Sequence, residues 1–583
     1  MTTTQGSGPL PLEASAERAY VSRPCYPAVG EVQRGWPGAV AALPRGMRTL
    51  AVDGPAAAQW DQIAATVSGE LTACGYAARI QLVDMRAAGL PWAEIEARTR
   101  SGALGDDPDF EKLAVGSLAD LIDSGRIPTE PVPEGTVRLV FGPGAALVAP
   151  DVLWWADLPK RYAERAIGAG GRNLLAPAGV PATTKRLFYV DWPLLDRHRD
   201  LHGPNIELWL DTRNLADPTW MTGHALRDTC ARLAELPHRT LPVFNSTPWG
   251  GQWARRALGH NQGGPNTALG YELIAPESGV LVGPEPDDSV EVPFQLIVSM
   301  QAEAMLGPGV HERFGTSFPI RFDYLDTVDG GNLSVHCHPR DDYMRTVFGW
   351  PYTQHETYYV MVGSPENKVF LGLRDGADVQ RFHEAAHRAD SHAEPFEITE
   401  FVQAFPATPH QLFLIPAGTP HGSGAGNVVL EVSATPYLYS LRFYDWLRRD
   451  GADRQRPVHV EHAFRNLDTD RTGSAVERQL VQSPRTHVKG EGWHEEIIGQ
   501  LPEMFFEVRR VALAANAVAE QDTDGRFHIL NVVEGDRALL RTATGHEHPL
   551  NYAETIVIPA SVGRYSIHNL GTAELRLVKA NVT

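Results

Sequence analysis

The stretch NLSVHCHPRDDYMRTVFGWPYTQHETYYV, Asn332 to Val360, decides how the rest of the chain is read. It opens as a strand in which Ser334, His336 and His338 fall on one face and Leu333, Val335 and Cys337 on the other, because strand side chains alternate with period two. Two imidazoles two residues apart can close on one metal ion. Eighteen positions after His338 comes Glu356, at the head of a second apolar run, ETYYVMV. Much later, LFLIPAGTPHGSG delivers His421 from a turn. Three imidazoles and one carboxylate form a ligand set for a divalent transition metal, with room left for water or substrate. The chain has 22 His, so a single one reads as a surface residue; the pattern taken whole is what is specific.

Composition bounds the rest. At 583 residues there is material for three or four domains, and an apolar share of 43% is that of a globular protein with a large core. The net charge of −19 argues against nucleic acid or an anionic membrane as partner, since both need Lys/Arg patches. A small anionic substrate needs only a local basic pocket. No apolar run approaches the ~18 residues needed to span a bilayer. The opening MTTTQGSGPLPLEASAERAY has no charged segment followed by an apolar one, as a secretory signal would. Cys25, Cys74, Cys230 and Cys337 are scattered without metal or disulfide spacing, which fits free thiols in the cytoplasm.

In chain order, residues 1–45 are rich in Gly, Pro, Ser and Ala and read as an irregular lead-in. From 46 to 240 strands alternate with helices. RTLAVDG (48–54) is a strand, and Ile63, Val67 and Leu71 mark one helix face after it. ARIQLVDMR (78–86) is a second strand, and 136–167 reads strand, loop, strand, helix. KRLFYVDWPLLDRH (185–198) and NIELWLDT (205–212) add strand-like material, and 224–240 is a helix. Such alternation implies a parallel α/β sheet. From 241 the texture becomes short strands and turns, including YELIAPESGVLVG, VEVPFQLIVSM and FPIRFDYLD. A helical segment, DVQRFHEAAHRAD, interrupts it at about 376–401, and RPVHVEHAFRNLD (456–468) reads as a linking helix. From 471 to 583 the strand rhythm returns without a usable HxH, and VIPA (557–560) echoes LIPA (414–417).

Four blocks resemble the class I phosphomannose isomerases, zinc enzymes of the cupin fold. They are TPWGGQWARRALG (247–259), LSVHCHP (333–339), TQHETYYVM (353–361), and IPAGTPHGSGAG (415–426) followed by LRFYDW (441–446). The resemblance covers 245–465 well and the first 240 residues not at all. It implies a cupin (jelly-roll) barrel at 241–470 that holds one divalent metal through His336, His338, Glu356 and His421, and a second, metal-free cupin barrel at 471–583. The layout of 46–240 is similar to a P-loop kinase of the uridine-kinase kind. That motif needs G-x-x-x-x-G-K-[ST], and GPAAAQWDQ (54–62) has neither the second Gly nor the Lys. The expectation there is a kinase-like domain without catalysis, or an α/β domain unrelated to kinases.

The reaction implied is interconversion of an aldose phosphate and a ketose phosphate, mannose 6-phosphate and fructose 6-phosphate first among them. It needs a Lewis acid on the C1/C2 oxygens, a base for the carbon-bound proton, and a positive charge for the enediolate. Arg442, at the Arg of the family's YRxYDW block, would supply the charge. Glu431, or a metal-bound hydroxide, would be the base, and Ser334 could hold a substrate oxygen. The chain departs from the family in places. His336 stands where the family has Gln, so iron, manganese or nickel compete with zinc. Gln354 stands where the family often has Lys, and Arg321 lies near the place of another. Arg321, Arg448 and Arg449 could bind a phosphate instead; otherwise the substrate is an unphosphorylated sugar. Other readings are an epimerase or iron oxygenase acting on another sugar, and a non-catalytic sugar-binding protein.

Overall fold

The computed structural model describes residues 20–76, 78–260 and 263–583; the part of the expected lead-in before residue 20 lies outside them. Five strands of the first domain run parallel, in the order Arg79–Asp84, Thr136–Phe141, Thr49–Asp53, Val152–Asp157, Leu208–Asp211. Thr219–Thr222 and Gln33–Arg34 extend the sheet antiparallel. The helix Trp60–Ala73 buries Ile63, Val67 and Leu71 against it. At the end of the Thr49–Asp53 strand, where the sequence places GPAAAQWDQ, the buried Asp53 carboxylate accepts from the backbone N–H groups of Gly54 (2.7 Å), Gly144 (3.1 Å) and Ala146 (2.8 Å). The same carboxylate also pairs with His198 (2.8 Å).

Three sequence expectations are corrected. The stretch 185–198 is not a strand: the chain is helical over 184–202. Its aromatic and β-branched content suggests a strand, but Leu187, Val190, Leu194 and His198 recur at helical spacing and are all buried. In VEVPFQLIVSM only Val290–Pro293 is a strand, and Phe294–Met300 is a helix; a short unbroken apolar run carries no period to tell the two apart. The lead-in is not irregular over its described part. Cys25–Tyr26 pairs in parallel with Leu281 and Val282, Gln33–Arg34 pairs with Trp220 and Thr219, and Trp36–Ala41 is a helix.

That lead-in is held by a buried charge knot. The Tyr20 hydroxyl donates to Glu272, and the Val21 N–H to Glu554 (2.6 Å). Arg239 pairs with Glu554 (2.8 Å) and donates to the Val21 carbonyl (3.0 Å), while Glu272 accepts from the Thr555 N–H (2.8 Å). Each charged member of the knot is almost wholly buried, so their mutual pairing is what makes the burial tolerable.

Beyond residue 241 two antiparallel sheets face each other. One runs Leu412–Ile415, Glu356–Val362, Val428–Ala434, Ile320–Asp326, Leu269–Leu273, Val243–Asn245. The other runs Val402–Pro406, Lys368–Leu373, His421–Ser423, Val335–Cys337, Leu441–Tyr444. The helix Val379–His392 fills the excursion between two neighbouring strands of the second sheet. The last region carries sheets of six and four strands. It packs on the first unit through Tyr324, whose hydroxyl donates to the Ala553 carbonyl (2.7 Å) and accepts from Asn531 (2.5 Å).

Arg239→Ala should therefore destabilise the protein by about 3–5 kcal/mol, the cost of leaving buried carboxylates unpaired. The checks are a lowered thermal midpoint and faster proteolysis after residue 20.

Candidate metal centre

The register of the two facing sheets sets the site. In the second sheet His336 lies directly across from His421 on one neighbour and from Arg442 on the other, so all three point from the same face. In the first sheet Glu356, Ser433 and Arg321 form the corresponding row, with Tyr358, Glu431 and Asp323 in the next row inward. His338 follows the end of its strand. One ligand atom from each of His336, His338, Glu356 and His421 lies within 4.8 Å of all the others, and all four residues are buried. The regular strand is Val335–Cys337, shorter than the alternation suggests, and Cys337 points off the opposite face into apolar packing.

Each imidazole is turned by its rear nitrogen. Nδ1 of His336 donates to the Ser334 carbonyl (3.0 Å), Nδ1 of His421 to the Thr419 carbonyl (2.9 Å), and Nδ1 of His338 to the Tyr439 carbonyl (3.3 Å). A carbonyl can only accept, so each ring carries its proton on Nδ1 and offers the Nε2 lone pair to the centre. The turn Pro416–Gly418, which leads to His421, is tied to His338: Gly418 takes a left-handed φ of 88° and its N–H donates to the His338 carbonyl (3.0 Å). Burial and the neighbouring His421 and His338 hold His336 well below the usual imidazole range, and burial lowers His338 as well. Burial works to raise Glu356, but the His421 and His338 imidazoles hold it well below the carboxylate range.

The donor set fits a divalent ion. Nε2 of His338 lies 2.5 Å and Nε2 of His421 3.6 Å from the same Glu356 oxygen. Among the described residues the other Glu356 oxygen and His421 Nε2 are buried without hydrogen-bond partners. Neutral nitrogens and an ionised carboxylate crowded together with orphaned lone pairs lack one thing, a cation.

The remaining predicted residues are placed as follows. Gln354 donates to Glu356 (3.2 Å). Ser334 turns its hydroxyl to the rear nitrogen of His336 (3.4 Å), so it braces the ring from behind. Arg321 donates to Ser433 (2.6 Å) and pairs with Glu431, and Ser433 donates to the same Glu431 oxygen (2.8 Å). Burial pushes Asp323 up to about 6 and raises Glu431 well above its usual range, because one guanidinium must serve several carboxylates. Arg442 donates to the Pro457 carbonyl (3.1 Å), and no ion pair to it is found among the described residues. Arg448 (2.7 Å) and Arg456 (2.9 Å) share the single carboxylate of Asp445, and Arg448 also donates to the Asn332 carbonyl (2.6 Å). Arg449 is exposed beside Asp453. Ser433 was missed in the sequence, although it sits two residues from Glu431 and so must share its face.

Comparison with known proteins bears on two parts of the chain. Residues 35–235 match a family model described as a domain of unknown function, DUF8485. A mannose-6-phosphate isomerase of Bacillus subtilis is 23% identical over 263 residues, 43% of this chain and 73% of that protein. One from Streptococcus mutans is 25% identical over 320 residues, 54% of this chain and 89% of its own. Among solved structures, the Bacillus subtilis mannose 6-phosphate isomerase matches with a TM-score of 0.48 and 21% identity, over 59% of this chain and 99% of that one.

Removing one ligand should empty the centre. His338→Ala is expected to bring bound metal to well under half a mole per mole, read by elemental analysis, since a three-ligand remnant holds metal poorly. His336→Gln should retain zinc with greater sensitivity to chelator; an unchanged chelator response would mean that His336 is no ligand.

Proposed function

We propose that the protein is a metal-dependent aldose–ketose isomerase of the cupin type, acting on a sugar phosphate with mannose 6-phosphate as the first candidate. The observation that carries this reading is the row His421–His336–Arg442 facing the row Glu356–Ser433–Arg321. It sets a metal-ligand cluster beside an arginine that has no carboxylate pair among the described residues and beside a buried acid cluster. Relatives named mannose-6-phosphate isomerase, spread over about half the chain, support it.

His336, His338, Glu356 and His421 would hold the ion, zinc by the nitrogen-rich donor set, with iron, manganese and nickel as alternatives. When bound, it supplies Lewis acidity toward the C1/C2 oxygens of the sugar. Arg442 meets the negative charge that develops on those oxygens as the carbon-bound proton leaves. Glu431 receives that proton and returns it to the neighbouring carbon; Arg321 and Ser433 fix its carboxylate, and its raised pKa suits it to the task. Gln354 keeps Glu356 turned toward the imidazoles. Two guanidiniums on one carboxylate leave Arg448 and Arg456 with spare positive charge at the end of the Arg442 strand, a place for the phosphate. The N-terminal domain, whose loop 54–62 lacks the second Gly and the Lys of a phosphate-binding loop, transfers no phosphate from ATP.

A coupled assay over hexose phosphates and free sugars tests this. Turnover of mannose 6-phosphate should vanish with chelator and return with zinc, and Arg442→Lys should lower kcat about 10²-fold. Oxygen consumption by an iron-loaded protein, with no isomerisation of any sugar, would replace the reading with an oxygenase.

A further inference from the structure

The N-terminal domain does more than sit beside the barrel. Its segment 104–114 is threaded into the outer side of the strand that carries the histidines. Leu104, Phe110 and Tyr189 share one apolar cluster with Val335 and Cys337, the outward-facing neighbours of His336 and His338, and with Phe348, Tyr439, Leu441 and Phe443. The Leu113 N–H donates to the Phe348 carbonyl (2.9 Å), and the Tyr189 hydroxyl to the Leu438 carbonyl (3.2 Å). The rings of Phe110 and Tyr439 stack with centroids 6.3 Å apart, and Tyr189 packs on Tyr439 at 5.6 Å. Tyr439 supplies the carbonyl that turns His338.

A second contact reaches Arg442. Its N–H donates to Nδ1 of His459 (3.2 Å), while the His459 N–H donates to the Arg442 carbonyl (2.8 Å). With Nδ1 an acceptor, His459 must carry its proton on Nε2, and this donates to Asp109 (3.2 Å). Beside it, Asp107 accepts from Nε2 of His462 (2.8 Å), whose Nδ1 faces the Tyr343 hydroxyl (2.6 Å). Asp107 also accepts from the N–H groups of Asp109 (2.9 Å) and Phe110 (2.7 Å), which fixes the turn that presents them. The Phe110 ring covers His459 at 4.6 Å.

We propose that the N-terminal domain is a working part of the metal centre, in which Phe110, through Tyr439, positions His338 and Asp109, through His459, positions Arg442. This rests on the roles given above to His338 and Arg442. It assigns a task to the region that matches a domain of unknown function, and makes Phe110 and Asp109 positioning residues.

The test uses the full chain loaded with Co²⁺, whose visible absorption reports ligand geometry. Phe110→Ala and the milder Phe110→Leu should shift that spectrum and weaken metal retention about ten-fold in chelator competition, the scale on which partners behind a ligand act. Asp109→Ala should leave metal retention unchanged and lower kcat on mannose 6-phosphate about ten-fold at constant KM. Asp109→Asn, whose amide oxygen still accepts from His459, should restore most of it. Spectra and chelator response of both Phe110 variants identical to the parent, with the fold intact by circular dichroism, would overturn the proposal. A parent that binds cobalt but turns over no mannose 6-phosphate would defeat the isomerase reading alone, and the cobalt arm would still decide this one.

Discussion

Three hydrogen bonds from ring nitrogens to backbone carbonyls are the constraint on which the site depends. A histidine has two nitrogens, and only by committing one can the chain aim the other. Here the commitment is made to the main chain, which is stiffer than any side chain, so the ligand geometry exists before an ion arrives. Two of the carbonyls, those of Ser334 and Thr419, lie two residues ahead of the ring they turn. The third, of Tyr439, is 101 residues away from His338. The aim of His338 therefore depends on packing between distant parts of the chain, and the other two do not.

The opposite wall of the cavity follows a different logic. Arg321 is nearly buried among Asp323 and Glu431 and cannot neutralise both. Hydrophobic residues would fill that volume at lower cost, since buried ion clusters seldom add net stability. What the cluster provides is two carboxyls that burial raises above their usual range, Asp323 up to about 6 and Glu431 well above its own, in the row next to Glu356. The same wall carries large aromatic side chains such as Tyr324 and Tyr358, buried on a sheet whose outer face meets the last domain.

Much of the centre was legible in the sequence because the chemistry is local. HxH on a strand, Glu at the head of the next, and His after a Gly turn are patterns a few residues long, and the structure brings all four residues together. The residues that steer them were not legible. Nothing near Tyr439 says that its carbonyl meets an imidazole, and Asp109 and His459 are 350 positions apart. Arg448 reads as a phosphate ligand by residue type alone, and only its pairing with Asp445 reveals that the charge is shared with Arg456. The segments 185–198 and 294–300 misled for another reason. Aromatic and branched residues are strand-like by type; over 185–198 burial at helical spacing outweighed that preference, and over 294–300 Phe294, Leu296, Ile297 and Val298 are all buried, so no period marks the helix.

The strand at Cys25–Tyr26 has a bearing on how the molecule is made. Its sheet partners lie at 281–282, and the knot around Tyr20 and Val21 closes only on Glu554 and Thr555. A ribosome adding about 5–20 residues per second delivers Glu554, 533 positions after Val21, roughly 25–110 s after it. For that interval the knot lacks Glu554 and Thr555, although the strand partners of Cys25–Tyr26 at 281–282 are made well before its end. The three units are therefore not beads completed one by one, since the knot around Val21 closes only on a carboxylate 533 positions later.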